Sequence, residues 1–532
     1  MKHFTITFKP DNKQITIHAS ATLFEAAGQA GIILNTVCGG KGTCKKCPVN
    51  LEPDGREVLA CQHHIQSDLT VTIPAGSRFF EQKILEHGID TQIDLAATVH
   101  KQYQKKDTTE KIFGIAVDIG TTTVVAKLIN MADGECHATE ATLNPQSRYG
   151  DDVISRIAYA QDDEKLAELH KDIIDCVNDL TTKLCKQTSI EPKHIYEMCV
   201  VGNTTMNHIF LKLPVTQLGQ APYKAFSLDA HDIPAAQLHL EMNPAGNIHT
   251  VENIAGFVGS DTTAVALAVD IDSAEETTLV VDIGTNGELV LGTKEKLYAA
   301  SCAAGPALEG ARITCGSRAA EGAIEAVVVN EDPDGIGIDL DVIGNALPRS
   351  ICGSGLIDAV AIMLELGIID HTGRFVEKEK LEGKVSPAIF SRIREKKDQP
   401  AFVLAENDGA GMVFLTQKDI RQMQLAKAAI RAGIRLLQKR IGLEDCDIEH
   451  ILLAGAFGNY IRKESALRIG LLPTVPVEKI RFVGNAAASG AWMVLVSRHY
   501  RETARELAGK IKYIEIAHEP EFQDVYADSM LF

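Results

Sequence analysis

The sequence predicts an α+β protein with a small β-rich head and a larger α/β body made of two related halves. Two observations carry this prediction. Four of the twelve cysteines crowd between Cys38 and Cys61, close to a stretch of alternating apolar and polar residues, and a five-residue segment of the body occurs twice. The composition, 45% hydrophobic and 23% charged, is that of a soluble globular protein and excludes disorder, collagen and small disulfide scaffolds.

The head and the body differ in net charge. The chain carries a net charge of −18, to which residues 1–78 contribute +2 and the remaining residues −20. This acidity argues against nucleic acid and against an anionic membrane surface as partners. No apolar run approaches the ~20 residues that span a bilayer, and the first residues alternate instead of forming a signal-peptide core. The sequence therefore predicts a cytoplasmic protein.

The head begins with a predicted β-hairpin followed by a helix. Apolar residues alternate with polar ones at 4–8 and again at 15–17, and a turn lies between the two runs. Ser20 or Thr22 is the expected helix cap, with Glu25 behind it as the second member of a capping box.

The clustered cysteines follow the spacing C-x5-C-x2-C-x13-C. Glycines between the first two cysteines let backbone N–H groups approach inorganic sulfides, which suits a [2Fe–2S] cluster. A zinc site is the alternative, but it would show paired C-x2-C segments at both ends, and only one such pair is present. His63 and His64 are expected at the surface, because four thiolates already complete the ligand set. The predicted cluster ligands are Cys38, Cys44, Cys47 and Cys61.

The remaining eight cysteines stand alone in the body, and we expect them to be buried small apolar residues. They are Cys136, Cys176, Cys185, Cys199, Cys302, Cys315, Cys352 and Cys446. The predicted domains are the head at 1–78, a polar linker at 79–110, a first half at 111–272 and a second half at 273–532. The linker either lets the head swing or packs on the body, and the sequence does not choose between these.

The body contains a duplicated phosphate loop. Val117–Thr121 recurs letter for letter as Val281–Thr285, and each copy lies between two apolar β runs. A strand, a tight Gly-Thr turn and a returning strand place a carboxylate and several N–H groups around one point. The N–H groups suit phosphate oxygens, and the carboxylates of Asp118 and Asp282 suit a hydrated Mg²⁺.

A third segment completes a predicted nucleotide site. His450–Gly458 reads as a buried strand ending in a small-residue turn that opens a helix, against which a flat base or ribose can lie. Small-residue helices are predicted at 256–264 and 484–491, where they can cross closely at a hinge. A P-loop fold is excluded, because no Gly-x-x-x-x-Gly-Lys-Ser/Thr segment occurs.

This order of phosphate loop, connecting helix, second phosphate loop, adenosine loop and second connecting helix resembles the superfamily of acetate and sugar kinases, Hsp70 and actin. The resemblance implies two ribonuclease-H-like α/β halves that close around ATP. The expected phosphate contacts are Gly120, Thr121, Thr122, Gly284, Thr285 and Asn286. The expected adenosine contacts are Gly455, Ala456 and Gly458. Asp118 and Asp282 are expected to hold Mg²⁺ or position water, and Asp261, Glu288 and Glu309 compete to activate the hydrolytic water.

A four-cysteine head fused to this kind of ATPase looks like the reductive activators of corrinoid-dependent enzymes. The resemblance also rests on residues 144–156, 201–206, 304–310 and 352–358. It implies a β-grasp [2Fe–2S] ferredoxin head and an ATP-dependent transfer of one electron to the Co(II) corrinoid protein of a methyltransferase system, which restores Co(I). An upstream low-potential electron donor and a homodimer formed through the body are further implications.

Two other functions remain open from the sequence. Activators of radical acyl-CoA dehydratases share the ATPase fold but hold one cluster between two subunits, and four cysteines in a single head disfavour that arrangement. A small-molecule kinase with an accessory ferredoxin domain would instead transfer phosphate within its cleft. A non-catalytic electron carrier is disfavoured because both loops keep their aspartate.

Overall fold

The computed structural model describes residues 2–10, 12–19, 21–30, 32, 34, 47–74, 111–150, 152–310, 312–332, 335–396, 399–407, 411–455 and 461–532. Some predicted features lie outside these residues. They are the cluster ligands Cys38 and Cys44, the linker at 79–110, and Ala456 and Gly458 of the adenosine loop.

The head is a five-stranded sheet with one helix. Its elements are β1 (His3–Lys9), β2 (Lys13–His18), α1 (Leu23–Gln29), β3 (Pro48–Glu52), β4 (Arg56–Leu59) and β5 (Leu69–Thr72). The strand order is β2-β1-β5-β3-β4, and antiparallel pairing of Ile6 with Ile15 confirms the predicted hairpin. Thr22 and Glu25 form the predicted capping box, since each backbone N–H donates to the other side chain, at 2.7 and 3.2 Å.

The first half of the body is a six-stranded sheet with helices packed against it. Its elements are β6 (Phe113–Ile119), β7 (Thr123–Asn130), β8 (Cys136–Leu143), α2 (Val153–Tyr159), α3 (Asp163–Thr188), β9 (Ile195–Gly202), α4 (Thr204–Phe210), β10 (His231–Pro234), β11 (Asn247–Thr250) and α5 (Ser260–Ala268). The strand order is β10-β11-β9-β6-β7-β8. β6, β7 and β8 run antiparallel, whereas β9 and β11 continue the sheet in parallel with β6.

The second half begins with β12 (Thr278–Ile283), β13 (Gly287–Thr293) and β14 (Lys296–Cys302). An insertion follows, with β15 (Ala323–Asp332), β16 (Gly335–Val342), β17 (Ser350–Ile351), α6 (Gly353–Glu365), α7 (Lys378–Leu381), α8 (Pro387–Arg392), β18 (Ile393–Lys396), β19 (Gln399–Asn407) and β20 (Gly411–Thr416). The half is completed by α9 (Gln417–Ile441), β21 (His450–Ala454), α10 (Lys463–Arg468), β22 (Ile480–Gly484), α11 (Ala486–Val496), α12 (Arg498–Lys510), β23 (Lys512–Tyr513) and α13 (Phe522–Ser529).

The two halves repeat one topology, which confirms the predicted duplication of α/β units. The second sheet has the order β22-β21-β12-β13-β14-β23, so an antiparallel β12-β13-β14 unit continues in parallel through β21 and β22. β12 thus occupies the place that β6 has in the first half. The insertion adds two three-stranded sheets, β16-β15-β17 and β18-β19-β20.

The head contacts the body through this insertion. The Nε2 atom of His3 lies 2.8 Å from the buried carboxylate of Asp341 on β16, and His18 lies 4.0 Å from the same carboxylate. The described part of the head therefore lies against the insertion of the second half, whereas the alternatives for the linker concern residues outside the described part of the chain.

The two halves share an apolar core in which α5 packs against α11. Residues of both sheets, among them Ala116 and Val280, pack with these helices. The crossing is close because a Cβ atom at Gly490 would lie 2.1 Å from the carbonyl oxygen of Ala264. The prediction of two crossing small-residue helices is confirmed, although α5 begins at Ser260 and not at Gly256, where a Cβ would lie 1.9 Å from the carbonyl oxygen of Tyr223.

The expectation of eight buried cysteines is only partly correct. Five of them are buried, Cys315 is half-buried, and Cys136 and Cys446 are exposed. Cys136 begins the outer strand β8, and Cys446 lies in a short 3-10 turn after α9, so neither position faces a core. In the described part of the chain, no helix has the length and apolarity to cross a membrane.

The α5–α11 crossing gives a stability prediction. Gly490→Val should lower the free energy of unfolding by about 3 kcal/mol, because the added side chain must push α11 away from the Ala264 carbonyl. The control is Gly509→Ala on the exposed face of α12, where a Cβ meets nothing within 4 Å and should stabilise by up to ~1 kcal/mol. Urea denaturation checks both values, and equal effects of the two substitutions would contradict the close crossing.

Candidate functional site

A cavity of about 440 Å³ lies between the two halves, with the duplicated loops on its walls. It brings together eleven of the residues that the sequence predicts for a nucleotide site. They are Asp118, Gly120, Thr121, Thr122, Asp261, Gly284, Thr285, Asn286, Glu288, Glu309 and Gly455. The cavity therefore collects the predicted nucleotide residues that fall within the described part of the chain.

The two loops have equivalent positions and similar turns. Asp118 and Asp282 each stand one residue before the end of the first strand of their sheet, β6 and β12. The turn after β6 is closed by the Gly120 N–H, which donates to the Thr123 carbonyl at 2.9 Å. In the second turn the Gly284 N–H donates to the Asn286 carbonyl at 3.0 Å. Both turns therefore present their threonine and carboxylate side chains to one cavity.

The first loop is held from behind by residues 144–156. The Asn144 amide donates to the Gly120 carbonyl at 2.9 Å, and its backbone N–H donates to the Thr122 carbonyl at 2.8 Å. The fully buried Arg156 guanidinium donates to the Thr121 carbonyl at 2.6 Å. Three successive carbonyls are thus engaged by residues that do not line the cavity. The buried positive charge also favours an anion on the other side of the loop.

Helix starts supply two further polar side chains. Asn203 caps α4, with its side chain accepting from the Met206 N–H at 3.0 Å, and its amide donates to the Thr121 hydroxyl at 3.3 Å. Asp261 lies in the first turn of α5 and accepts from the Thr262 N–H at 2.7 Å. A carboxylate at this end of a helix is favoured by the helix dipole, so Asp261 is fixed at the wall of the cavity.

The second loop lies directly beside Glu288 and Gly455. Asp282 on β12 pairs with Glu288 on β13, which places both carboxyl groups on one face of the sheet. Gly455 follows β21 with φ +89°, and a Cβ there would lie 2.6 Å from Oδ1 of Asp282. Only glycine fits this position, because the left-handed backbone and the nearby carboxylate both exclude a side chain.

The buried acids of the cavity all have raised pKa values. Burial and the charge of Asp261 raise the pKa of Asp118 to about 7, and burial with the charges of Asp261 and Asp118 raises the pKa of Asp282 to about 7. Burial raises the pKa of Asp261 to about 6 and that of Glu288 well above its usual range. Asp118, Asp282 and Glu288 are therefore at least partly protonated near neutral pH unless a cation compensates their charge.

Glu309 joins the two loops. It ends the short 3-10 segment Pro306–Glu309, and its carboxylate accepts from the Thr285 hydroxyl at 2.6 Å and from the Thr122 hydroxyl at 3.0 Å. The two hydroxyl oxygens lie 2.9 Å apart. One carboxylate therefore connects one of the duplicated Gly-Thr loops in each half.

The head brings two of the four predicted cluster ligands together. Cys47 directly precedes β3 and Cys61 follows β4, and the antiparallel pairing of these strands places the two buried thiols 3.4 Å apart. This separation exceeds the roughly 2.05 Å of a disulfide bond and suits two thiolates on one metal. His64 is exposed, as expected, whereas His63 is half-buried.

Several residues at the site were not assigned by sequence reasoning. Arg156 and Asn144 lay in a segment used only for family resemblance, and Asn485, which hydrogen-bonds Asp118, lay in a predicted connecting helix. A charged arginine within an otherwise apolar helical stretch was the available signal for Arg156. Nothing in the sequence signals that Asn485 reaches Asp118, because the contact joins opposite halves.

Comparison with family models places the body in a known family. Residues 113–274 match the model described as the RACo middle region, and residues 276–532 match the model described as the C-terminal domain of RACo, the ASKHA domain. The predicted actin-like body is thereby confirmed in its C-terminal part.

Relatives of similar length were also found. The corrinoid activation enzyme RamQ of Eubacterium limosum is 34% identical over 98% of this chain and 98% of its own length. The [Co(II) methylated amine-specific corrinoid protein] reductase of Methanosarcina barkeri is 26% identical over 75% of this chain and 73% of its own. A solved structure of the reductive activator for corrinoid, iron-sulfur protein aligns with a TM-score of 0.73 and 32% identity, covering 99% of this chain and 98% of that one.

Both family models together span nearly the whole body, and the RamQ match extends through the head. The resemblance inferred from the cysteine cluster and the duplicated loops is therefore confirmed. The chain belongs to the RACo family of reductive activators of corrinoid-dependent enzymes.

Proposed function

We propose that this protein uses ATP hydrolysis to drive the transfer of one electron from a [2Fe–2S] cluster in its head to the Co(II) corrinoid protein of a methyltransferase system. The corrinoid is reduced to Co(I), and the cluster is oxidised by one electron until an upstream low-potential donor reduces it again. The observation that carries the proposal is the cavity where a phosphate loop of each half meets four acids of raised pKa.

The named relatives support the corrinoid partner. One is called a corrinoid activation enzyme and another a reductase of a Co(II) corrinoid protein, and both are similar to this chain over three quarters of its length or more. The same chemistry in this chain requires an electron carrier and an energy source in one polypeptide. The thiol pair of the head and the cavity of the body are the candidates for these two parts.

ATP would lie across the cavity. Its adenosine would rest against Gly455, with Ala456 and Gly458 completing that loop, and its phosphates would lie between the two Gly-Thr turns. Asp118 and Asp282 would hold Mg²⁺, which relieves their mutual repulsion. Asp261 or Glu288, whose carboxyl groups lie in the same cavity, would orient the attacking water.

The cluster would be held by Cys38, Cys44, Cys47 and Cys61 in a β-grasp ferredoxin head at 1–78. Such a cluster supplies a one-electron carrier with a potential near ~−400 mV. The linker at 79–110 and the halves at 111–272 and 273–532 complete the proposed domains, and the body is the proposed homodimer surface. Burial of Cys47 and Cys61 keeps water away from the thiols on the inner side of the site.

The need for ATP follows from energetics. A Co(II)/Co(I) couple that lies below the potential of the cluster makes the transfer uphill, and each 100 mV costs ~2.3 kcal/mol for one electron. Closure of the two halves around ATP would favour the complex in which the corrinoid accepts the electron. The nucleotide then acts on conformation, and no phosphate is transferred to a substrate.

The first prediction tests this function directly. In the anaerobically purified, reduced protein, ATP hydrolysis should rise at least about tenfold when a Co(II) corrinoid protein is added, and Co(I) should form only with ATP present. Asp282→Asn should remove both responses, because it deletes one carboxylate of the proposed Mg²⁺ site. Hydrolysis that ignores the corrinoid protein, together with phosphorylation of a sugar or acid, would support the kinase alternative instead.

The second prediction separates the head from the body. Cys47→Ser should abolish the visible absorption of the cluster and the formation of Co(I), and ATP affinity should stay within about twofold of wild type, because the thiol pair lies outside the nucleotide cavity. Cys136→Ser is the matched control, since this exposed cysteine lies on β8 of the body. Loss of both activities in Cys47→Ser would show that the head and the body do not function as separate modules.

The third prediction concerns pH. Because Asp118 and Asp282 have pKa values of about 7, Mg²⁺-ATP must displace protons, and its affinity should fall about tenfold per proton for each pH unit below 7. The raised pKa values also mean that the nucleotide-free fold binds more protons than the unfolded chain, so its stability should fall as the pH rises from 4 to 7.

Calorimetry in buffers of different ionisation enthalpy measures the protons released on binding, and urea denaturation at several pH values measures the stability. Asp282→Asn should weaken the pH dependence of the stability, because it removes one of the titrating groups. Affinity that is constant between pH 6 and 8 would contradict the assignment of these carboxylates to Mg²⁺.

A further inference from the structure

Glu309 contacts the donors that the proposed nucleotide site offers to phosphate. Its two carboxylate oxygens accept hydrogen bonds from Thr285 of the second loop and Thr122 of the first, at 2.6 and 3.0 Å. A threonine hydroxyl has one proton to donate, so neither hydroxyl can serve Glu309 and a phosphate oxygen fully at the same time. Glu309 and a phosphate therefore compete for one pair of donors.

The position of this pair indicates which phosphate competes. Adenosine is proposed to lie against Gly455, which belongs to the second half, whereas Thr122 belongs to the first half. A nucleotide anchored in the second half reaches the first loop with its far end. The terminal phosphate of ATP is thus the group that must accept the hydroxyl protons now donated to Glu309. ADP lacks this phosphate.

We propose that Glu309 occupies the subsite of the γ-phosphate in the nucleotide-free protein and is displaced by it, which makes this residue the selector between ATP and ADP. The inference rests on the proposed function, because it requires ATP to bind in the cavity. Displacement breaks the hydrogen bonds that join the two loops through Glu309. The γ-phosphate then accepts hydrogen bonds from the same two hydroxyls and joins the loops in its place.

The direction in which ATP affinity changes when the Glu309 charge is removed distinguishes this role from that of a general base or a structural residue. Repulsion between the Glu309 carboxylate and the γ-phosphate disfavours ATP binding. ADP has no γ-phosphate, so its nearest phosphate lies farther from Glu309 and is repelled less. Removing the charge should therefore tighten ATP binding. A general base for the hydrolytic water would lower the turnover rate when removed, and a purely structural residue would weaken both nucleotides together.

The experiment measures the dissociation constants of Mg²⁺-ATP and Mg²⁺-ADP by calorimetry on the full-length wild type, Glu309→Gln and the control Glu325→Gln. Glu325 lines the same cavity, and no hydrogen bond joins it to either loop among the described residues. Glu309→Gln should bind ATP at least about tenfold more tightly and ADP within about threefold of wild type. Glu325→Gln should leave the ATP-to-ADP ratio unchanged.

The outcomes separate the two proposals. An unchanged ATP-to-ADP ratio in Glu309→Gln, in a wild type that binds both nucleotides, overturns the role of Glu309 and leaves the proposed function intact. A wild type that binds neither nucleotide overturns both. Glu309→Ala serves as a second variant if the glutamine variant fails to fold, and the same tenfold gain in ATP affinity is expected of it.

Discussion

The electrostatics of the cavity between the halves depend on the buried carboxyl groups that line it. Burial and the charge of Asp261 raise the pKa of Asp118, and burial with the charges of Asp261 and Asp118 raises the pKa of Asp282, both to about 7, so these groups repel one another whenever they are ionised. The shared apolar core of α5 and α11 holds the halves together against this repulsion. The proposed cation with bound phosphates would reverse the sign of this interaction and would thereby favour closure of the two halves.

The two duplicated Gly-Thr loops are related by sequence but supported differently. Asn144 and Arg156 hold three carbonyls of the first loop, and both belong to a segment that follows β8. The second loop lies against Gly455, where the absence of a side chain admits the Asp282 carboxylate. The first loop is thus fixed by buried hydrogen bonds and the second by close backbone packing.

Local patterns predicted the parts of this site that repeat or alternate. The recurrence of Asp118 as Asp282 identified both loops, and alternation identified the strands around them. Contacts between distant segments were beyond such reasoning. Arg156 reaches a carbonyl 35 residues earlier in the chain, and Glu309 reaches Thr122 across 187 residues. No local spacing encodes these approaches, since the first exists only once the first half has folded and the second only once the two halves have packed. The exposed Cys136 was mispredicted because residue type alone does not reveal that a strand lies at a sheet edge.

The contact between head and body shares its electrostatic environment with the cavity. Asp341 accepts from His3 at 2.8 Å, and burial together with the Asp341 charge raises the pKa of Glu325, which lines the cavity, to about 7. His3 acts on Glu325 in the opposite direction. Asp341 therefore takes part both in the contact with the head and in the electrostatic environment of the cavity wall.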